Sequence, residues 1–380
     1  MKLKYLALFA GIAFISFLAF TFFRQIPFGN DTYAFLQISC TGSNSLLGTR
    51  MPFAIPFFKI LPCNYLIWNA LCAFVMWLVM VIVGLIGEQF NEKHGWIAGL
   101  AMFGNALFLS QNFALEDVLL ATPLIFLSFY FAIRLAKERK WFWFIGTIAS
   151  FLLATGFWKG TAFFLPVVAF LTTGWLGFIL AIIFIFIFSE VHLFLGILGL
   201  LGFFRGELVQ ENLAGFGIIH NWVLLVGLAN IERKLLIPTI WLGFVAFNAQ
   251  KYTLFLAPFL AIFVINFLEK KPDGWKVFAT IMVLGIAVLS FMSIPTLFPN
   301  ENQMQAIKEV IRLSDGNKIL DNFGYGWVLM FFGGNPDKVA GYPNSDFNHS
   351  KGYALLYGED TNCKLIKEYD NNLQIRYCDN

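Results

Sequence analysis

Residues 65–87 read YLIWNALCAFVMWLVMVIVGLIG, a run without one charged side chain. A helix of that length rises about 35 Å, enough to cross a bilayer's hydrocarbon core of about 30 Å. It is apolar on every side, so it has no face to turn toward water. Runs of the same character recur on both sides of it, at 5–23, 96–114, 118–136, 141–158, 161–180, 182–204, 217–230, 235–247, 252–268 and 277–294. This patterning predicts an all-α polytopic membrane protein with about eleven transmembrane helices. Residues 1–294 form its transmembrane domain, and 295–380 a small α/β domain. Residues 161–204 admit two divisions. Two full-length helices can part near residue 181, or two short ones at Gly174 with a re-entrant segment from 191. The first run reads as an anchor helix rather than a signal peptide, because Phe22, Phe23 and Arg24 follow it where small residues would mark cleavage.

Composition agrees. The chain is 58% hydrophobic and 13% charged, with a mean hydropathy of +0.71. Soluble domains carry about 25% charge, which excludes a water-soluble enzyme. A net charge of +3, spread over short loops, argues against nucleic acid as a partner. Lys2 and Lys4, the run 137–140, Arg233-Lys234 and the run 270–276 all fall on one side with this span count. The positive-inside rule then puts the N-terminus in the cytoplasm and residues 295–380 outside, in a plasma-membrane protein. Cys40 with Cys63, and Cys363 with Cys378, fall outside as two local pairs that suit disulfides, with four free thiols as the alternative.

Charges near a bilayer are expensive and mark function. Asp31 precedes every other acid up to Glu88. Glu116 and Asp117 stand alone between Glu92 and Glu138, and Glu190 alone between Glu138 and Glu207. Asp31, Glu116 and Asp117 share the outer face. Each has a plainer reading, as a solvated loop acid or a residue favouring a helix N-terminus. Together, with Glu190 if it reaches that face, they can hold Mg²⁺ or Mn²⁺, which take carboxylate oxygens. One of these carboxylates can also act as general base. Lys159, Lys251 and Arg50, with Lys59 nearby, are outward cations that either snorkel to the headgroups or neutralise a lipid phosphate. No Walker loop, Gly-x-Ser-x-Gly, His-Glu-x-x-His or Cys-x-x-Cys competes with this reading.

These segments resemble, in order, the GT-C superfamily of membrane glycosyltransferases, and within it the catalytic subunit of oligosaccharyltransferase. Gly29-Asn30-Asp31-Thr32-Tyr33 is similar to the family's first-loop Asp before an aromatic residue. Ala114-Leu115-Glu116-Asp117 is similar to its acidic pair, although the two acids are adjacent here. Ser189-Glu190 resembles the fifth-loop Glu motif. Phe157-Trp158-Lys159-Gly160 with Pro166, and Asn248-Ala249-Gln250-Lys251-Tyr252 with Pro258, resemble its cationic segments, with Lys251 where Arg is usual. The resemblance implies a GT-C-like fold. It also implies transfer of a sugar or oligosaccharide from a polyprenyl (dolichyl) phosphate or diphosphate carrier to a protein or glycolipid acceptor. Asp31 would be catalytic. Asp31, Glu116, Asp117 and Glu190 would be metal ligands, and Lys159, Lys251 and Arg50 would hold the carrier phosphate.

In the C-terminal domain, Asn300–Leu313 reads as a helix capped by Asn300, and Lys318–Leu320 as a strand. Asp321-Asn322-Phe323-Gly324-Tyr325-Gly326-Trp327 then resembles the oligosaccharyltransferase acceptor motif, which assigns Asn322, Tyr325 and Trp327 to acceptor binding. Asp321 and Asn322 stand where that motif has Trp and Asp, which argues against sequon recognition. The rival readings are a lipid-linked-sugar transporter and a non-catalytic paralogue.

Overall fold

The structure, a computed structural model, describes residues 1–22, 35–36, 38–40, 52–103, 108, 117–188, 232–248, 252–278, 281, 285, 301–315, 319–321, 329, 339–340, 351–357, 363–369 and 373–379. The chain divides into two compact units. One comprises Met1–Gln25, Arg50–Ala54 and Tyr65–Ile294, and the other Ile26–Thr49, Ile55–Asn64 and Pro295–Asn380.

The described helices of the N-terminal half are α1 (Leu3–Phe22), α2 (Ala54–Ile60), α3 (Tyr65–Glu88), α4 (Ile97–Phe103), α5 (Asp117–Glu138) and α6 (Trp141–Phe157). A 3₁₀ helix (Lys159–Phe164) follows, then α7 (Leu165–Thr173), α8 (Trp175–Phe188), α9 (Arg233–Asn248) and α10 (Thr253–Glu269). Among the described residues, Leu3–Phe22, Leu66–Glu88 and Val118–Glu138 are the helices long and apolar enough to cross a membrane. Trp141–Phe157, Gly160–Thr173, Trp175–Ile185 and Leu254–Glu269 are shorter apolar helices. The chain is accordingly a helical, membrane-associated protein, with a small sheet among the described residues. Trp141, Leu152, Leu176 and Ile240 are more than half exposed on α6, α8 and α9. Water would leave such faces unpaired, and lipid matches them.

α3 packs against α1, α4 and α5, and α5 packs against α6 and α7. α10 packs against α4 and α9. The corner between α5 and α6 turns at Arg139, whose φ is 53°. Polar contacts close it. Arg134 and Lys140 both pair with Glu138, whose Oε2 also accepts a hydrogen bond from Trp143 Nε1 at 3.0 Å. The predicted spans 118–136, 141–158, 235–247 and 252–268 correspond to α5, α6, α9 and α10. Of the span 96–114, residues 96–103 and Phe108 are described, with Ile97–Phe103 and Phe108 helical. The span 217–230 and most of 277–294 lie outside the described residues.

A division near residue 181 is not what the chain does: α8 runs through that position unbroken. The break falls at Gly174, whose φ of 72° and ψ of −148° lie in a region that is nearly glycine-only. The Gly174 N–H closes α7 on Phe170 O at 2.9 Å, and Phe170 then meets Trp175 and Phe178 edge-on.

In the second unit, α11 (Glu301–Ser314) covers one face of a sheet built from β1 (Ile319–Asp321), β2 (Val339–Ala340), β3 (Gly352–Tyr357), β4 (Lys364–Tyr369) and β5 (Leu373–Cys378), in the order β2-β1-β3-β5-β4. β1 runs parallel to β2 and β3. The β3–β5 and β4–β5 pairs are antiparallel. Met304, Ile307 and Val310, at helical spacing, pack on Ile319, Leu355, Leu373 and Ile375. The alternate strand positions Leu320, Ala354 and Leu356 lie on the opposite face with Cys363 and Cys378. Cys363–Cys378 and Cys40–Cys63 are both disulfides, so the two local pairs form. α11 and β1 match the predicted helix and strand to within a residue. Asn300, the expected cap, lies outside the described residues.

Candidate functional site

Most of the residues singled out from the sequence (Asp31, Arg50, Glu116, Glu190, Lys251, Asn322, Tyr325 and Trp327) lie outside the described residues. Asp117 is the first residue of α5, and Lys159 opens the 3₁₀ helix. Lys59 sits exposed in the last turn of α2, which belongs mainly to the second unit.

The described residues do bring together the two segments that resemble the family's cationic motifs. α6 ends at Trp158, whose extended backbone (φ −143°, ψ 118°) donates its N–H back to Ala154 O at 2.8 Å. The 3₁₀ helix that carries Lys159 starts there, with Thr161 N–H on Trp158 O at 3.1 Å. Two aromatic side chains from distant helices fix this turn. The Tyr252 hydroxyl, one residue after Lys251, donates to Gly160 O at 3.3 Å, and Trp241 Nε1 donates to Phe163 O at 2.7 Å. The Trp158 ring lies 5.3 Å from Tyr252 and 6.2 Å, stacked, from Phe255. Phe164 contacts Phe129, Tyr252 and Phe255. Trp158, Phe164, Tyr252 and Phe255 are all buried, so they form a dry aromatic plug beneath the turn.

Gly160 is required at this point. A Cβ there would strike the Trp158 ring and come within 2.7 Å of the Tyr252 hydroxyl. The next residue, Thr161, is 0% exposed, and its Oγ1 has no hydrogen-bond partner among the described residues. An unmet buried hydroxyl costs about 1–3 kcal/mol.

A second polar region occupies the other end of α5. The Met1 ammonium pairs with Glu88 at 3.1 Å. The Asn91 amide donates to Glu269 Oε2 at 2.8 Å and to Asn266 Oδ1 at 3.3 Å, and its Oδ1 accepts the His94 N–H at 2.9 Å. These bonds tie the end of α10 to the turn between α3 and α4. Beside them is a cleft of about 410 Å³ whose lining includes Phe90, Lys137, Phe170, Gly174, Arg233 and Lys234. Sequence reasoning took these three cations as topological markers. The available signal was that one ends a helix and the other two begin one.

Among the described residues, no group of three His, Cys, Asp or Glu side chains could hold a metal ion. Asp31, Glu116 and Glu190 lie outside them. No protein-family model matches the chain, and no curated protein matches it.

Proposed function

We propose that the protein is an integral-membrane glycosyltransferase of GT-C type, with about eleven transmembrane helices. It would take a sugar or oligosaccharide from a polyprenyl phosphate or diphosphate at the extracytoplasmic face of the plasma membrane. The observation that carries this reading is the meeting of Trp158 and Gly160 with Tyr252. It supports a shared role for the neighbouring Lys159 and Lys251 on one carrier phosphate.

In the transfer, the bond from the sugar C1 to the carrier phosphate oxygen breaks, and a bond from C1 to the acceptor oxygen or nitrogen forms. Asp31 accepts the acceptor's proton. The electron pair leaves with the phosphate, whose growing charge is stabilised by the Lys159, Lys251 and Arg50 cations. Asp31, Glu116, Asp117 and Glu190 supply the hard carboxylate oxygens that Mg²⁺ or Mn²⁺ would take. A bound ion would add further charge neutralisation at the phosphate. Asn322, Tyr325 and Trp327 of the C-terminal domain would meet the acceptor.

Asp31→Ala is expected to abolish transfer from a polyprenyl-linked donor while membrane expression persists. Lys159→Gln with Lys251→Gln is expected to weaken donor binding tenfold or more, because two charges on one phosphate are removed. Retained transfer in Asp31→Ala would remove Asp31 from the mechanism.

A further inference from the structure

The cleft at the basic end of α5 has the chemistry of a binding site. Lys137 comes from the last turn of α5, and Arg233 and Lys234 from the first turn of α9. All three are exposed, and no carboxylate among the described residues forms an ion pair with any of them. The Lys137 ammonium donates to the Gln89 backbone carbonyl and, at 3.4 Å, to Gln89 Oε1, neutral acceptors that hold the side chain without cancelling its charge. Glu92 and Glu232 act on it only through space.

Arg233 and Lys234 are on the unfavourable end of their helix. The macrodipole already places positive potential at an N-terminus, where anions are stabilised and cations are not. A rule that counts basic residues per loop accounts for their side of the membrane but not for this position. Glu232, just ahead of the helix, offsets part of that potential. The rest of the lining is apolar: Phe90, Ile133, Phe170 and Leu171, with Gly174 keeping the turn between α7 and α8 open. A free inorganic anion would gain nothing from those walls. A lipid whose phosphate meets the cations and whose chain lies along the aromatic wall would use both halves.

The geometry points to a site for a phosphate-bearing anionic lipid, with its phosphate on Lys137, Arg233 and Lys234 and its chain against Phe90 and Phe170. This site is separate from the proposed transfer site. Asp117 and Lys137 are at opposite ends of α5, about 30 Å apart along its axis.

The test uses the full-length protein in neutral detergent micelles, with binding of phosphatidic acid, phosphatidylcholine and inorganic phosphate followed by native mass spectrometry. The expected result is phosphatidic acid binding at least tenfold tighter than phosphatidylcholine, with inorganic phosphate competing weakly. The triple variant Lys137→Gln, Arg233→Gln, Lys234→Gln should lose that preference. A charge-matched control, Lys140→Gln, Lys270→Gln, Lys271→Gln, should keep it. Should the triple variant not fold, the single exposed change Arg233→Gln is expected to weaken phosphatidic acid binding about threefold to tenfold. Equal losses in cleft and control variants would reduce the effect to surface charge and overturn the site. Inorganic phosphate binding as tightly as the lipid would overturn the lipid assignment. None of these outcomes depends on sugar transfer, so the site and the proposed enzyme activity stand or fall separately.

Discussion

Thr161 carries a fully buried hydroxyl with no partner among the described residues, directly after the Lys159-Gly160 turn. A purely structural threonine in that position should tolerate removal of the oxygen. Thr161→Val is therefore expected to leave the fold intact and to raise stability by about 1 kcal/mol, read as a higher Tm in detergent. A fall in Tm instead would mean that the hydroxyl has a partner of its own. At this scale the sequence was only partly legible. Isolated charges stand out in so apolar a chain, which is why Lys159 and Lys251 could be singled out. The meeting of the segments that carry them depends on Trp158, Tyr252, Phe164 and Phe255, and in a chain with 47 phenylalanines no aromatic residue announces which other it will meet. The cleft cations were visible in the sequence, but their convergence on one cavity is a property of helix packing.

Gly174 decides the shape of the region between α7 and α8. Among the described residues nothing lies within 4 Å of where its Cβ would be, so the cost of a side chain there is that of backbone strain. Gly174→Ala is expected to cost about 1–3 kcal/mol, visible as a lower Tm, whereas Gly243→Ala, in mid-helix and equally open, should be neutral or stabilising. Equal effects at the two positions would contradict the strained turn. In the second unit, Arg312 Nη2 donates to Glu309 Oε1 at 2.8 Å and holds that carboxyl below its ordinary value of 4.5. A depressed carboxyl contributes stability above its unfolded value, and that contribution disappears as pH falls through the folded one. Glu309→Gln should thus flatten part of the acid limb of the stability curve below about pH 4.5 and leave neutral pH little changed, because the pair is exposed. An unchanged acid limb would rule the pair out as a contributor. The long helices were readable because a bilayer demands unbroken apolar length. The α7–α8 break was readable only as one of two choices, since apolar residues on both sides of Gly174 give no periodicity to arbitrate. In the C-terminal unit, α11 and β1 were legible. β3, β4 and β5 were not: β5 pairs with its chain neighbour β4 in a short hairpin but also with β3 on its other side, an order that local patterning does not give.

The molecule as a whole combines helices long and apolar enough to cross a membrane with a small disulfide-closed α/β unit. Its helical unit has different chemistry at its two ends. One end carries the aromatic plug beneath Lys159, and the other the polar ties and the cationic cleft. That polarity suits the proposed sugar transfer at one end and the proposed lipid site at the other. In the proposed function, Asp31, Lys159 and Lys251 act together in transferring sugar from a lipid phosphate. The most direct measurement is transfer from a radiolabelled polyprenyl-linked sugar donor in membranes holding wild-type protein or Asp31→Asn, with and without a chelator of divalent cations. Wild-type protein is expected to transfer sugar, and Asp31→Asn to lose that transfer. Loss with chelator as well would assign the carboxylates to Mg²⁺ or Mn²⁺, and transfer that survives it would leave Asp31 as the base alone. Absence of transfer from every polyprenyl phosphate and diphosphate donor tried would exclude the proposed transferase activity, and equal transfer by Asp31→Asn would remove Asp31 from it.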